Sequence, residues 1–205
     1  MRYFDELSML VRCDDIEGVR NAFEGGEAAA YLDDEDGRSR TLLHHAAEHS
    51  SVEMVRLLLD MGAEVNPKSL WGKSPLHVAV DNRRPEVVSL LLAKGADVSS
   101  KGHYNDTPLH RAAWNSDAES VALLLAAGAD VGVRNQLGHT PDQKVCRIFG
   151  GEAAKVFEAH KMKAALQYAL RPQPPAGSES LQQPPRNFGT PEAPSNQAPR
   201  RRIRL

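Results

Sequence analysis

Aromatic residues are scarce in this chain of 205 residues; at 5% of the total they leave any core to be built from aliphatic side chains. Cysteine is scarcer. Cys13 and Cys146 are far apart and share no metal-ligand spacing, which argues against a disulfide-stapled scaffold and leaves two free thiols in a reducing compartment as the expectation. Neither sign of charge dominates: 25 basic residues stand against 27 acidic ones, a net charge of −2, which neither requires nor excludes nucleic acid. No apolar run approaches the roughly 20 residues of a membrane span, and the opening MRYFDELSML lacks the unbroken apolar core of a secretion signal. Catalytic signatures are missing as well. There is no GxSxG, HExxH, phosphate loop or dinucleotide fingerprint, and no nucleophile paired with a base. The sequence therefore predicts a soluble, non-catalytic protein without cofactor or metal, cytoplasmic in location or also nuclear.

What is present is repetition. Three segments align without gaps: TLLHHAA from Thr41, SPLHVAV from Ser74 and TPLHRAA from Thr107, with a fourth start, TPDQ, at Thr140. A second block keeps the same 33-residue phase: LLLDMGAEV from Leu57, LLLAKGADV from Leu90 and LLLAAGADV from Leu123. Each Thr or Ser can cap a helix start. Pro75, Pro108 and Pro141 follow at a position that needs no amide hydrogen, with Leu42 in their place in the first unit. Ala46, Ala79 and Ala112 permit close helix packing. The leucine block supplies a buried stripe on a second helix, and Gly62, Gly95 and Gly128 stop it in a left-handed cap. One such helix pair cannot bury its apolar face alone, so neighbours must stack.

These residues resemble the ankyrin repeat, whose signature is TPLHxA in a unit of 33. The resemblance implies an all-α solenoid of stacked helix-turn-helix units with projecting turns. Its domain spans 1–170, with an N-terminal capping unit at about 4–35, repeats at about 36–68, 69–101 and 102–134, and a degenerate capping unit with a long helix at about 135–170. In that last unit Asp142 and Gln143 stand where leucine and histidine stood before, and a helix of about five turns from Glu152 either packs on the stack or protrudes. Residues 171–205 are a different material. Eight of the 13 prolines fall there, with six arginines against two glutamates, and the segment is expected to be a disordered, Pro-rich basic tail.

His44, His77 and His110 look like a ligand set, but adjacent units lie about 8–10 Å apart, too far for imidazoles to converge on zinc at roughly 2 Å. In the ankyrin family this histidine ties units together through backbone hydrogen bonds. The family binds partners through its concave side, made of turn tips and the exposed face of each first helix. The positions that the repeat leaves free there are Arg38, Arg40, Leu70, Trp71, Lys73, His103, Tyr104, Asp106, Leu137 and His139 on the turns, with Glu48, His49, Asp81, Asn82, Trp114 and Asn115 closing the first helices. Gly37 and Gln136 also lie on these turns. Trp71, Tyr104 and Trp114 come from adjacent units, and either anchor a partner or pack on the neighbouring turn. Arg38, Arg40, Lys73, Arg83 and Arg84 add positive charge near the first two units, with Glu48 and Asp81 between them.

The implied function is a protein-protein interaction module: a monomeric adaptor, scaffold or regulatory inhibitor that engages another protein. The alternative is a fixed structural subunit of a large assembly whose basic tail contacts RNA, cytoskeleton or lipid. The tail carries short patterns for further partners. Pro172-Gln-Pro-Pro175 and Pro191-Glu-Ala-Pro194 suit SH3-type domains, Ile203-Arg204-Leu205 suits a PDZ-type domain, and Arg200-Arg-Arg-Ile-Arg204 suits a nuclear import receptor. Thr190-Pro191 has the form of a phosphosite, and Asn66 resembles a position hydroxylated in some ankyrin proteins.

Overall fold

The computed structural model describes residues 2–24, 26, 28–144 and 151–169. The expectations for the tail, for Thr190 and for Cys146 lie outside these residues. Among the described residues the regular elements are helices. They are α1 (Arg2–Arg12), α2 (Ile16–Glu24), α3 (Leu42–His49), α4 (Val52–Asp60), α5 (Pro75–Asp81), α6 (Pro85–Ala93), α7 (Pro108–Trp114), α8 (Ala118–Ala126) and α9 (Glu152–Ala169). Single 3-10 turns occupy Ala28–Tyr31, His103–Asn105 and Asp142–Lys144.

The helices stack in two layers. First helices α1, α3, α5 and α7 pack one on the next; behind them run α2, α4, α6, α8 and α9. Local chemistry sets each start. Thr41, Ser74 and Thr107 form capping boxes in which the histidine three residues later reaches back to the cap amide. Pro75 and Pro108 occupy the first turns of α5 and α7. Each leucine helix stops in the same way. Gly62, Gly95 and Gly128 have φ of 98°, 87° and 89°, and the next amide returns to a carbonyl five residues back, at Leu58, Leu91 and Leu124. A residue with a Cβ is strained in that conformation, so glycine is required there.

The core lies between the layers. Leu42, Leu43, Leu58, Leu76, Leu91, Leu109 and Leu124 are wholly buried, and Ala46, Ala79 and Ala112 are buried at the closest approach of neighbouring first helices. The last unit is built differently. It opens on the 3-10 turn, where Gln143 takes the role of histidine: its Oε1 accepts the Thr140 amide at 3.1 Å. Ala153 and Phe157 of α9 close the core against α8, and Lys161 pairs with Asp142 at 2.7 Å. Beyond Lys161 the helix presents exposed Met162 and Leu166, so its first turns pack and its later turns protrude. Cys13 is an exposed free thiol.

Candidate partner-binding face

The turns between units repeat as faithfully as the helices. In each, an amide donates to the carbonyl four residues on: Asp36 to Arg40 at 2.9 Å, Ser69 to Lys73 at 2.9 Å, Gly102 to Asp106 at 2.9 Å and Asn135 to His139 at 3.0 Å. The buried histidine of the preceding unit donates to the same carbonyl. His44 Nε2 reaches Lys73 O at 3.0 Å, His77 Nε2 reaches Asp106 O at 3.1 Å, and His110 Nε2 reaches His139 O at 3.0 Å. Because Nδ1 of each ring accepts the cap amide, the hydrogen sits on Nε2 and the ring is neutral. Burial pushes the His77 pKa down to about 4 and also lowers that of His44. These rings hold the turn tips to the stack and do not face one another as ligands. Among the described residues no group of three or more His, Cys, Asp or Glu could hold a metal ion.

A groove of about 680 Å³ opens where the turn tips meet the first helices. Lys73, His77, His103, Tyr104, Asp106, Arg111, Trp114, Leu137, His139 and Gln143 line it. Seven of the sixteen expected positions thus come together in one place. Tyr104, Trp114 and Leu137 supply its apolar wall and remain 53%, 56% and 62% exposed. His103 packs its ring on Tyr104 with centroids 4.0 Å apart. Both Tyr104 and Asn105 are in left-handed backbone, which projects the Tyr104 ring from its turn.

The other expected positions divide. Leu70 and Trp71 are exposed on the preceding turn; Trp71 does not line the groove and instead lies under the Arg38 guanidinium, 5.9 Å from the ring centre. The expected three-aromatic cluster is therefore one groove pair plus a separate Arg38–Trp71 pair. Arg40 is held between Asp36 at 2.9 Å and Glu48 at 3.2 Å, with exposed His49 beside Glu48. Two backbone amides, from Arg38 and Arg40, and the Arg40 guanidinium hold the Asp36 pKa low against the opposing effect of burial. Exposed Asn82 donates to its own helix at Val78 O, and Asn115 donates across units to Val80 O at 3.0 Å.

Asp106 corrects the expectation of a surface contact. It is 3% exposed, its carboxylate accepts from Asn135 at 2.7 Å, and its carbonyl is taken by His77. Arg83 and Arg84 carry their charge near the second unit and also bond across units. The Arg84 guanidinium crosses to Ala46, Ala47 and Ser50 carbonyls at the end of α3, and Arg83 bonds the Asn115 carbonyl, so both tie units together. Arg111 was missed by the sequence reading. It stands on α7 where the other units carry His45 and Val78, and that variation within a fixed frame is the signal that marks it. Asn66 uses its amide to bridge to the next turn, accepting from Asp97 at 2.8 Å and donating to Gly95 O at 3.2 Å. No helix among the described residues is long and apolar enough to cross a membrane.

Known proteins bear out the repeat. A family model for three copies of ankyrin repeats matches residues 7–102, and one for a single ankyrin repeat matches residues 104–136. A serine/threonine-protein kinase 12 of Arabidopsis thaliana is 44% identical over 69 residues. That match spans 34% of this chain and 14% of the kinase, and it is a partial match of repeats. The phased capping boxes, the forward histidine bonds and the family match agree: this chain belongs to the ankyrin-repeat family, and its repeats form a protein-protein interaction module.

Proposed function

We propose that the protein is a non-catalytic adaptor that holds a segment of another protein in the groove between Tyr104, Trp114 and Leu137. One observation carries this reading: among the described residues, five of the eight large apolar side chains left exposed, Leu70, Trp71, Tyr104, Trp114 and Leu137, lie on the turn tips and the first-helix ends that border them. Such side chains are costly to leave in water, and Trp and Tyr are enriched among binding hot spots. The stack that presents them is held by repeated backbone bonds, so little order has to be gained on binding. The kinase activity of the Arabidopsis relative is not carried over, because the shared stretch is 14% of that protein.

The test compares full-length Tyr104→Ala/Trp114→Ala with full-length Trp71→Ala in partner capture by crosslinking from native cells. The groove pair should weaken capture by about thirtyfold for one hot-spot side chain at roughly 2 kcal/mol, and by about a thousandfold where both contribute fully. Unchanged capture by a folded groove variant sinks the proposal. Capture that is lost only when residues 171–205 are removed points instead to a fixed subunit held by its tail. The cytoplasm or nucleus is the proposed location, and imaging of the tagged chain with and without Arg200–Arg204 tests it.

A further inference from the structure

The groove has a charge as well as an apolar wall. Asp81 is held between two cations, with Lys73 Nζ at 2.6 Å and Arg111 Nε at 2.6 Å. One carboxylate thus faces two positive groups, and each of these keeps 30% of its side chain in solvent. The carboxylate in the lining itself, Asp106, is buried and turned toward Asn135. Exposed Arg134 extends the positive charge to the following turn, where it bonds Gly138 O. At the first unit Arg40 is shared by Asp36 and Glu48, and exposed Arg38 lies over Trp71.

We propose that the groove selects an extended segment of a partner protein in which a bulky apolar side chain is flanked by carboxylates. This rests on the groove being the binding surface. The apolar side chain sits against Tyr104, Trp114 and Leu137. The carboxylates meet Arg111 and Lys73, where a guanidinium offers paired donors to a planar acid. Nucleic acid is disfavoured as occupant. The excess positive charge here is small, whereas binding to a nucleic-acid backbone rests on about six to ten phosphate contacts.

The experiment measures fluorescence anisotropy of short labelled peptides of equal length on the full chain. Each peptide carries a central Phe flanked by Glu, Gln or Lys. The Glu peptide should bind about tenfold tighter than the Lys peptide in roughly 0.1 M salt, and the gap should narrow at high salt. Asp81→Asn should widen the preference by removing the competing carboxylate. Arg111→Gln should shrink it, while Arg56→Glu on the outer face should leave it unchanged; circular dichroism confirms that each variant is folded. Equal binding of the three peptides, all weakened by Trp114→Ala, overturns the charge selectivity and leaves the groove as an apolar binding site. Tighter binding of the Lys peptide, or indifference of the Glu peptide to Arg111→Gln, also overturns it. Native-partner capture by the Tyr104→Ala/Trp114→Ala variant judges the groove itself separately.

Discussion

Lowering the pH from about 7.5 to about 5 should cost the stack about 2 kcal/mol through His77 alone. The ring is 1% exposed, with Nδ1 accepting the Ser74 amide and Nε2 donating to Asp106 O. A second ring proton would have to sit on Nδ1, against that amide. Burial therefore pushes the pKa down to about 4, from the ordinary 6.5 that the unfolded chain recovers. Between these values the unfolded chain binds a proton that the folded chain refuses. Stability is thus complete above about pH 6.5 and is lost as pH falls toward 4. The whole gap corresponds to about 3 kcal/mol, of which about 2 is gone near pH 5. Burial lowers His44 and His45 as well, adding loss in the same direction. Asp36 and Asp142 are held below the ordinary 3.8, so their protonation falls below this window. Urea unfolding followed by circular dichroism at the two pH values, in the parent and in His77→Gln, isolates the contribution. Gln143 accepts the Thr140 amide through its side chain, so a glutamine at position 77 keeps the cap bond and removes the titration. The variant should be about 1 kcal/mol weaker near neutral pH through loss of the bond to Asp106. Its further loss on acidification should be smaller than the parent's by about 2 kcal/mol. An equal acid-induced loss in both proteins would refute the reasoning.

Gly102→Ala places a Cβ 3.0 Å from His77 Nε2 and 3.1 Å from Cδ2, against a ring bonded at both ends. It should destabilise by about 1–3 kcal/mol in urea titrations, and a neutral outcome would show that the turn can yield. Arg84→Met deprives the Ala46, Ala47 and Ser50 carbonyls of their shared guanidinium and should cost about 2 kcal/mol by the same measurement. Leu91→Ala, at a wholly buried site, should lower stability by about 3 kcal/mol with an unchanged denaturant slope; a fall below about 1 kcal/mol would contradict the packing described. Met162→Ser with Leu166→Ser, on the protruding end of α9, should leave stability within about 0.5 kcal/mol.

Much of this fold can be read from the sequence because its rules are local. A capping box needs residues three apart, and a helix stop needs glycine at a single left-handed position; both recur in phase at Thr41, Ser74 and Thr107 and at Gly62, Gly95 and Gly128. The site is less legible because its geometry is set between units. Asp106 occupies the turn position of Arg40, Lys73 and His139, yet it turns inward because Asn135 of the next turn offers it an amide. Trp71 and Tyr104 occupy the same position of successive turns, but the left-handed backbone at Tyr104 and the Arg38 guanidinium over Trp71 send them to different surroundings. Arg84 reads as surface charge until the end of α3 is placed beneath it.

The forward-reaching histidines have a consequence for how such a chain can change length. Each bond joins residues 29 apart, and donor and acceptor shift together by whole units. Deleting residues 69–101 as a block would leave His44 facing the Asp106 carbonyl, the equivalent of Lys73. Duplicating a block of 33 would insert a new donor together with its new acceptor. An insertion of another length within the bonded segment would put one imidazole out of register with its carbonyl, at a cost of about 1–3 kcal/mol for the unsatisfied group. The array can therefore grow or shrink at the level of the gene only in complete units, and Gln143 is the position at which the series carries an amide in place of the imidazole.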